Sequence, residues 1–366
     1  MNCIKLVLEV VTPAFVAGAD QRDVELRAAS IKGLLRWWWR ASEGHRFRDL
    51  DDLVQEEGRF FGSAALKMRS LLLVTAEREA PESSATYEYR RRDKDGRETK
   101  AQALHYLGYG PIRIASKEER AAAEAGRDPA LLGPDRRPKR GAVYIRPALA
   151  PGTRLTVNLS WRHGTLSDDQ RNQLARALGG WVALGGVGCR SRKGMGSLDL
   201  VEVMGNAVRE PHGFSEVLQE AIAEYRTDGA PLPQQLPKWP QVRFRQVLHQ
   251  TDPKTSWEEA LGALALEYRK LRPRVRDRER RFICGEVNPR RASSVLLSVH
   301  REEQGFFGLM VALPCWKDAS SEARPAWDSF LLERGRGRPC GGRPAGRVGG
   351  EGTHLSARGP KCDGGG

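Results

Sequence analysis

The chain has 366 residues, enough for about two domains at roughly 150 residues each, and 40% of them are apolar. Lys and Arg outnumber Asp and Glu by 60 to 46, giving a formal charge of +14 and pointing to a polyanionic partner, either nucleic acid or an anionic membrane surface. No apolar run approaches the ~18 residues that span a bilayer, and the six Cys and seven His are scattered with no C-x-x-C or H-E-x-x-H, so neither a membrane span nor a metal site is expected.

Met1-Asn2-Cys3-Ile4-Lys5 opens directly into strand-like alternation rather than a signal peptide, so the chain reads as cytoplasmic with reduced cysteines. Ile4, Leu6, Leu8 and Val10 alternate with Lys5 and Glu9 and predict a first strand. After a loop through Gly18-Ala19-Asp20, Ser30 is placed to cap a helix running to about His45. Ile31, Leu34, Leu35 and Trp38 form its apolar stripe, and Lys32, Arg36 and Arg40 recur four apart on an adjoining face. No acid lies between Ser30 and Ser42, so this face reads as uncompensated positive charge. Trp37, Trp38 and Trp39 diverge by ~100° per residue; Trp38 belongs to the core, and core packing is the favoured reading for Trp37 and Trp39 too, with stacking on a base or packing against a partner as the alternative.

A short acidic helix follows at 49–57 and a buried strand at 70–77. Residues 79–142 are polar and irregular, with too few apolar residues for a core of their own, and read as an insertion. Leu155, Val157, Leu159 and Trp161 alternate as the next strand. Ser167-Asp168-Asp169-Gln170 is a capping box that opens a helix carrying Leu174, Leu178, Trp181 and Val182. Leu198 to Val203 is a further strand. Without the insertion the order is β-α-β-β-α-β, the ferredoxin-like arrangement.

A helix near 214–225 and a Pro-rich joint at 231–240 lead to a second unit. There a strand at 242–248, a helix at 256–271 and a hairpin turning at Gln304-Gly305 give β-α-β-β, a partial copy lacking its last helix and strand. Residues 332–366 are rich in Gly, Arg and Pro and are expected to be disordered, and the abrupt composition change raises the expectation of an altered reading frame or terminus there. The expected class is α+β with two ferredoxin-like domains, at 1–205 and 206–331, the second incomplete.

Between the second helix and the last strand of the first domain, Gly185, Gly186, Gly188, Gly194 and Gly196 surround Arg190, Ser191, Arg192 and Lys193. Glycines let backbone N–H groups approach phosphate closely; an ordinary flexible loop with surface cations is the alternative. Nucleotide-binding loops run strand, glycines, helix, whereas this order is helix, glycines, strand, so no nucleotide cofactor is expected. The strands offer only Trp161 as an aromatic, so RNA would meet the loops and the basic helix rather than the sheet face.

The segments at 12–20 (Thr-Pro-Ala-Phe-Val-Ala-Gly-Ala-Asp), 25–41 around Trp37-Trp38-Trp39, 104–110 (Leu-His-Tyr-Leu-Gly-Tyr-Gly), 185–197 and 290–300 resemble the RAMP superfamily, specifically the first-numbered RAMP subunit of Cmr (type III-B) CRISPR effectors. The likeness is strong over about the first 200 residues, weaker to about 316 and absent beyond. It implies two ferredoxin-like domains in a non-catalytic subunit that helps hold CRISPR guide RNA and its target, beside sibling RAMP subunits near the guide's 3′ portion. Lys32, Arg36, Arg40, Arg190, Ser191, Arg192, Lys193, Arg290 and Arg291 are the candidate RNA contacts. The alternative is a RAMP endoribonuclease that processes or cleaves CRISPR RNA, with His45 as general base or Asp20 as metal ligand. Neither residue has a visible partner set.

Overall fold

The alternation that begins at Ile4 forms the centre of a sheet. In this computed structural model the described residues are 2–18, 24–79, 100–114, 143–145, 148–205, 213–271, 283–285, 292–315 and 323–332, with isolated positions between 116 and 125. Strand β1 (Asn2–Val10) pairs antiparallel with β5 (Arg154–Trp161) on one side and β6 (Leu198–Gly205) on the other, in register Leu6↔Val157 and Leu6↔Val203. Strand β2 (Leu73–Arg78) pairs with the far side of β5, so the sheet order is β2-β5-β1-β6. Ile4, Leu6, Leu8, Leu155, Val157, Leu159 and Trp161 are all buried in one core, as their alternation predicts. Trp161 is therefore core and offers no face for a base.

Helix α1 (Ala28–Glu43) buries Ile31, Leu35, Trp38 and Trp39 into that core, and a 3₁₀ turn at Gly44–Arg46 ends it. It starts two residues before Ser30, with an extended Arg27 at the cap position and no side-chain cap. Ala28 and Ala29 are strong helix formers and carry the first turn past the expected cap. Helix α2 (Leu50–Phe61) follows, its Asp49 accepting from the N–H of Asp52 at 2.9 Å. Trp39 is fully buried, 5.7–6.1 Å from the rings of Phe47, Phe60 and Phe61, and donates its indole N–H to Gln173 at 3.0 Å. Burying one such ring is worth about 4–6 kcal/mol of transfer free energy. This is why Trp39 is inside rather than available to a base.

Helix α4 (Asp168–Leu184) lies beside α1 and opens with the predicted capping box, Ser167 and Gln170 bonding reciprocally. The two helices meet where Trp38 covers Gly180; a β carbon there would stand 2.7 Å from the indole, so only glycine fits. Helix α3 (Lys100–Leu107) and strand β3 (Ile112–Ile114) come from the segment read as an insertion, and β4 (Val143–Ile145), just past its bounds, pairs with β3. Leu107 and Ile112 are buried in the core of the second unit.

That second unit follows helix α5 (Phe214–Tyr225). Its strands β7 (Gln246–Gln250), β8 (Val295–Glu302) and β9 (Gly305–Ala312) form an antiparallel sheet in the order β7-β9-β8, covered by α6 (Trp257–Leu271). The stretch before β7 is a 3₁₀ turn at Val242–Phe244 rather than strand. A further helix, α7 (Ala323–Leu332), follows the hairpin where sequence reading expected none, and buries Trp327 and Phe330 in the same core. Their i, i+3 spacing was the missed signal. Residues 333–366 lie outside the described residues.

The two units meet along a polar seam. His300 on β8 is fully buried, bonding Asp199 on β6 through Nδ1 and the Ala183 carbonyl of α4 through Nε2, both at 2.8 Å. Asp199 also accepts from the Arg301 N–H at 2.7 Å, and Ser197 from the Val299 N–H at 3.0 Å.

Candidate nucleic-acid interface

Helix α1 presents a second stripe, Ser30, Gly33, Leu34 and Trp37, of which Leu34 and Trp37 are half-buried against the edge of the core. It lines a groove of about 860 Å³, opposite the glycine-rich segment 185–192 and beside the 15–18 loop and Tyr109-Gly110. Gly33 is exposed, and nothing lies within 4 Å of where a β carbon would stand. No packing among the described residues demands glycine there, although it costs about 1 kcal/mol in a helix interior relative to Ala.

The glycine loop is held by backbone contacts. Cys189 N–H donates to the Phe15 carbonyl, Gly196 N–H to Pro13 and Val187 N–H to Gly196, each at 2.9 Å. Gly188 has φ +88, and a β carbon there would lie 2.5 Å from the Phe15 carbonyl oxygen. The glycines thus serve the close approach of two chain segments, and several loop N–H groups are committed to protein carbonyls rather than open to phosphate. Arg190 adopts left-handed φ +63, unusual for a side-chain-bearing residue, and its carbonyl accepts from Lys193 N–H at 2.8 Å.

The loop cations have different fates. Arg190 is exposed at the groove and donates Nε–H to the Tyr109 carbonyl at 2.8 Å. Arg192 lies over Trp37, its guanidinium carbon 4.7 Å from the ring centroid, and burial pushes its pKa down. Both line the groove with Ser191. Lys193 points the other way, donating to the Tyr268 hydroxyl at 2.6 Å with its ammonium 4.0 Å from that ring. It fastens the loop to the second unit, as does the bond from Leu297 N–H to the Arg192 carbonyl at 3.2 Å.

Helix α1's basic stripe is not uncompensated. Glu57, buried on α2, pairs with both Arg36 and Arg40, the latter at 3.2 Å. Lys32 donates to Ser70 at 2.6 Å and to the Leu72 carbonyl at 3.0 Å, and burial with the neighbouring Arg36 lowers its pKa. None of the three lines the groove. The acid comes from the next helix, so a scan of α1 alone misses it. Sequence reading also missed Tyr109, which is 67% exposed at the groove mouth. Its signal was an aromatic between two glycines, Gly108 and Gly110.

Arg290, Arg291 and Asp20 lie outside the described residues. His45 is not at the groove; it lines a separate polar pocket of about 620 Å³ with Glu43, Arg46, Asp169 and Arg176. Glu43 is fully buried there and takes a bidentate pair from Arg176 at 2.7 and 2.8 Å. Desolvation lowers the His45 pKa, with Glu43 opposing. No cluster of three or more His, Cys, Asp or Glu positioned for a metal occurs among the described residues. Nor does any helix of the described residues have the length and apolarity to cross a membrane.

The RAMP superfamily model matches residues 7–199, which span the first sheet, α1, α4 and the glycine loop, and the chain belongs to that superfamily. Within it, the chain is similar to CRISPR system Cmr subunit Cmr1-2 of Pyrococcus furiosus, 30% identical over 194 residues, covering 52% of this chain and 91% of that protein. It is also 30% identical over 190 residues to Cmr1-1 of the same organism, covering 51% of this chain and 44% of that one. The crystal structure of Pyrococcus furiosus Cmr1 shares the fold at TM-score 0.52 and 21% identity, covering 91% of this chain and 97% of that chain.

Proposed function

We propose that the chain is a non-catalytic RNA-binding subunit of a type III-B CRISPR ribonucleoprotein effector, helping hold guide RNA and the guide–target duplex for antiviral RNA interference beside sibling RAMP subunits. Membership of the superfamily and similarity to Cmr subunits support the class. The observation that carries the site is the groove between α1 and the glycine loop, with Arg190 and Arg192 along one wall. In this reading Arg190, Ser191 and Arg192 meet the phosphate backbone, which binds without reading sequence. Arg36 and Arg40, still partly exposed, extend positive surface beside it. Both units are ferredoxin-like in this proposal, supported by the orders β2-β5-β1-β6 and β7-β9-β8.

The test is fluorescence anisotropy of the full chain with labelled single-stranded RNA across a salt series. Replacing Arg190 and Arg192 together by Ala is expected to weaken binding and flatten the log–log salt slope by about 0.7 per lost contact. Unchanged affinity and slope would remove the groove from the function. The endoribonuclease alternative requires RNA cleavage that disappears with His45→Ala; intact RNA with both proteins supports the binding role.

A further inference from the structure

Tyr109 is the most exposed large apolar side chain among the described residues, at 67%, its ring meeting only the edge of His105 at 6.4 Å among the ring contacts described, and the surrounding turn is closed by hydrogen bonds. Helix α3 ends into it through Gly108 N–H to the Leu104 carbonyl at 2.9 Å, and Ile112 N–H returns to the Gly108 carbonyl at 2.9 Å. Gly108 packs so closely on Ile112 that a β carbon would overlap it, and Gly110 adopts φ +106. The Tyr109 carbonyl is fixed to the opposite wall by Arg190. The chain thus presents a largely exposed aromatic ring beside the groove, on a backbone tied to both the turn and Arg190.

Across the same groove, Arg192 stacks on Trp37, and Trp37 meets Trp38 edge-on at 4.7 Å. A planar guanidinium on an indole makes a flat cationic surface, and Arg190 supplies a second charge beside Tyr109. Phosphate needs only the cations. A flat ring displayed among them matches the π face of an unpaired base, whose stacking on an aromatic is tolerant of sequence.

We infer that Tyr109 and the Arg192–Trp37 stack form a subsite for one unpaired nucleobase, with Arg190 on the adjoining phosphate. This rests on the groove being the RNA interface and adds that the strand there is single, with one base turned out of its stack. The ligand class is a single-stranded ribonucleotide segment or strand end, not duplex.

The test compares the full-length wild type, Tyr109→Ala, Tyr109→Phe and Arg190→Ala on labelled single-stranded oligoribonucleotides of about twelve nucleotides. The RNA series includes a blunt duplex and a set with one abasic position scanned along the strand. Tyr109→Ala is expected to lower single-strand affinity about 5- to 150-fold with an unchanged salt slope, the effect of one lost stack. Tyr109→Phe should keep wild-type affinity, because the ring and not the hydroxyl does the stacking. One abasic position should weaken the wild type to the level of Tyr109→Ala and leave that variant indifferent. Equal single-strand affinity of Tyr109→Ala and wild type, or an equal loss on duplex, overturns the subsite. If Arg190→Ala still lowers affinity and slope in that case, the groove remains the RNA interface. Absence of binding by any of the proteins overturns both.

Discussion

Arg192 lies on the face of Trp37, 4.7 Å from the ring centroid, and couples the glycine loop to the helix that carries three tryptophans. A guanidinium held this way keeps its charge while losing much of its water, which strengthens its attraction for an incoming phosphate. Lysine would keep the charge without the flat stack. Arg192→Lys is therefore expected to weaken RNA binding about 2- to 30-fold, the range of a cation–π contact of about 0.5–2 kcal/mol. Its salt slope should match the wild type, and anisotropy at three or more salt concentrations checks both.

Glu57 is shared by two arginines. Glu57→Gln removes the charge that both Arg36 and Arg40 face, and because those arginines are partly exposed the cost is about 1–2 kcal/mol of folding stability. The same change releases two cations on the face of α1 away from the groove, so RNA binding is expected to tighten at low salt and its salt slope to steepen if the strand extends over that face. Urea unfolding and a salt-dependent binding series read the two effects separately.

Gly33 gives a prediction of opposite sign. Open space lies around its missing side chain, so Gly33→Ala is expected to stabilise the fold by roughly 0.4–1 kcal/mol. The methyl group would intrude where α1 meets the strand, so RNA affinity should fall. A variant with a raised unfolding midpoint and unchanged affinity would place the strand elsewhere.

His300 sets a pH dependence. Burial and the nearby Arg226 push its pKa below the ordinary 6.5, with Asp199 opposing. The folded chain therefore binds fewer protons at this site than the unfolded chain below about pH 6.5, and stability falls as the pH drops through that value. Urea midpoints at about pH 7.5 and 5.5 should differ more for the wild type than for His300→Gln, which retains hydrogen-bonding capacity without titrating.

Sequence alone was sufficient where the controlling interaction is local. The capping box at Ser167 and Gln170, the alternation of Leu155 to Trp161 and the β8–β9 hairpin, whose turn falls at Glu303-Gln304, one residue before the expected Gln304-Gly305, all follow from neighbours a few residues away. It failed where a partner is distant. Glu57 neutralises Arg36 from 21 residues off, and Tyr268 claims Lys193 from 75 residues off. The loop cations were legible as a group because their glycine frame is distinctive. Which of them faces the groove depends on the side of the loop against which the second unit packs, and no periodicity encodes that.

The glycine loop has one further consequence, in the timing of synthesis. Ser197, at its end, bonds the backbone of Val299, 102 positions later in the chain. At about 5–20 residues per second, a ribosome completes the first sheet roughly 5–20 s before it makes the strand that steadies the loop. Until then Lys193 lacks Tyr268, and the wall carrying Arg190 and Arg192 is tethered to the first unit alone, through Thr12, Pro13, Phe15, Trp37 and Tyr109. On a nascent chain the first sheet is therefore complete before the contacts from β8 and α6 that steady the loop can form.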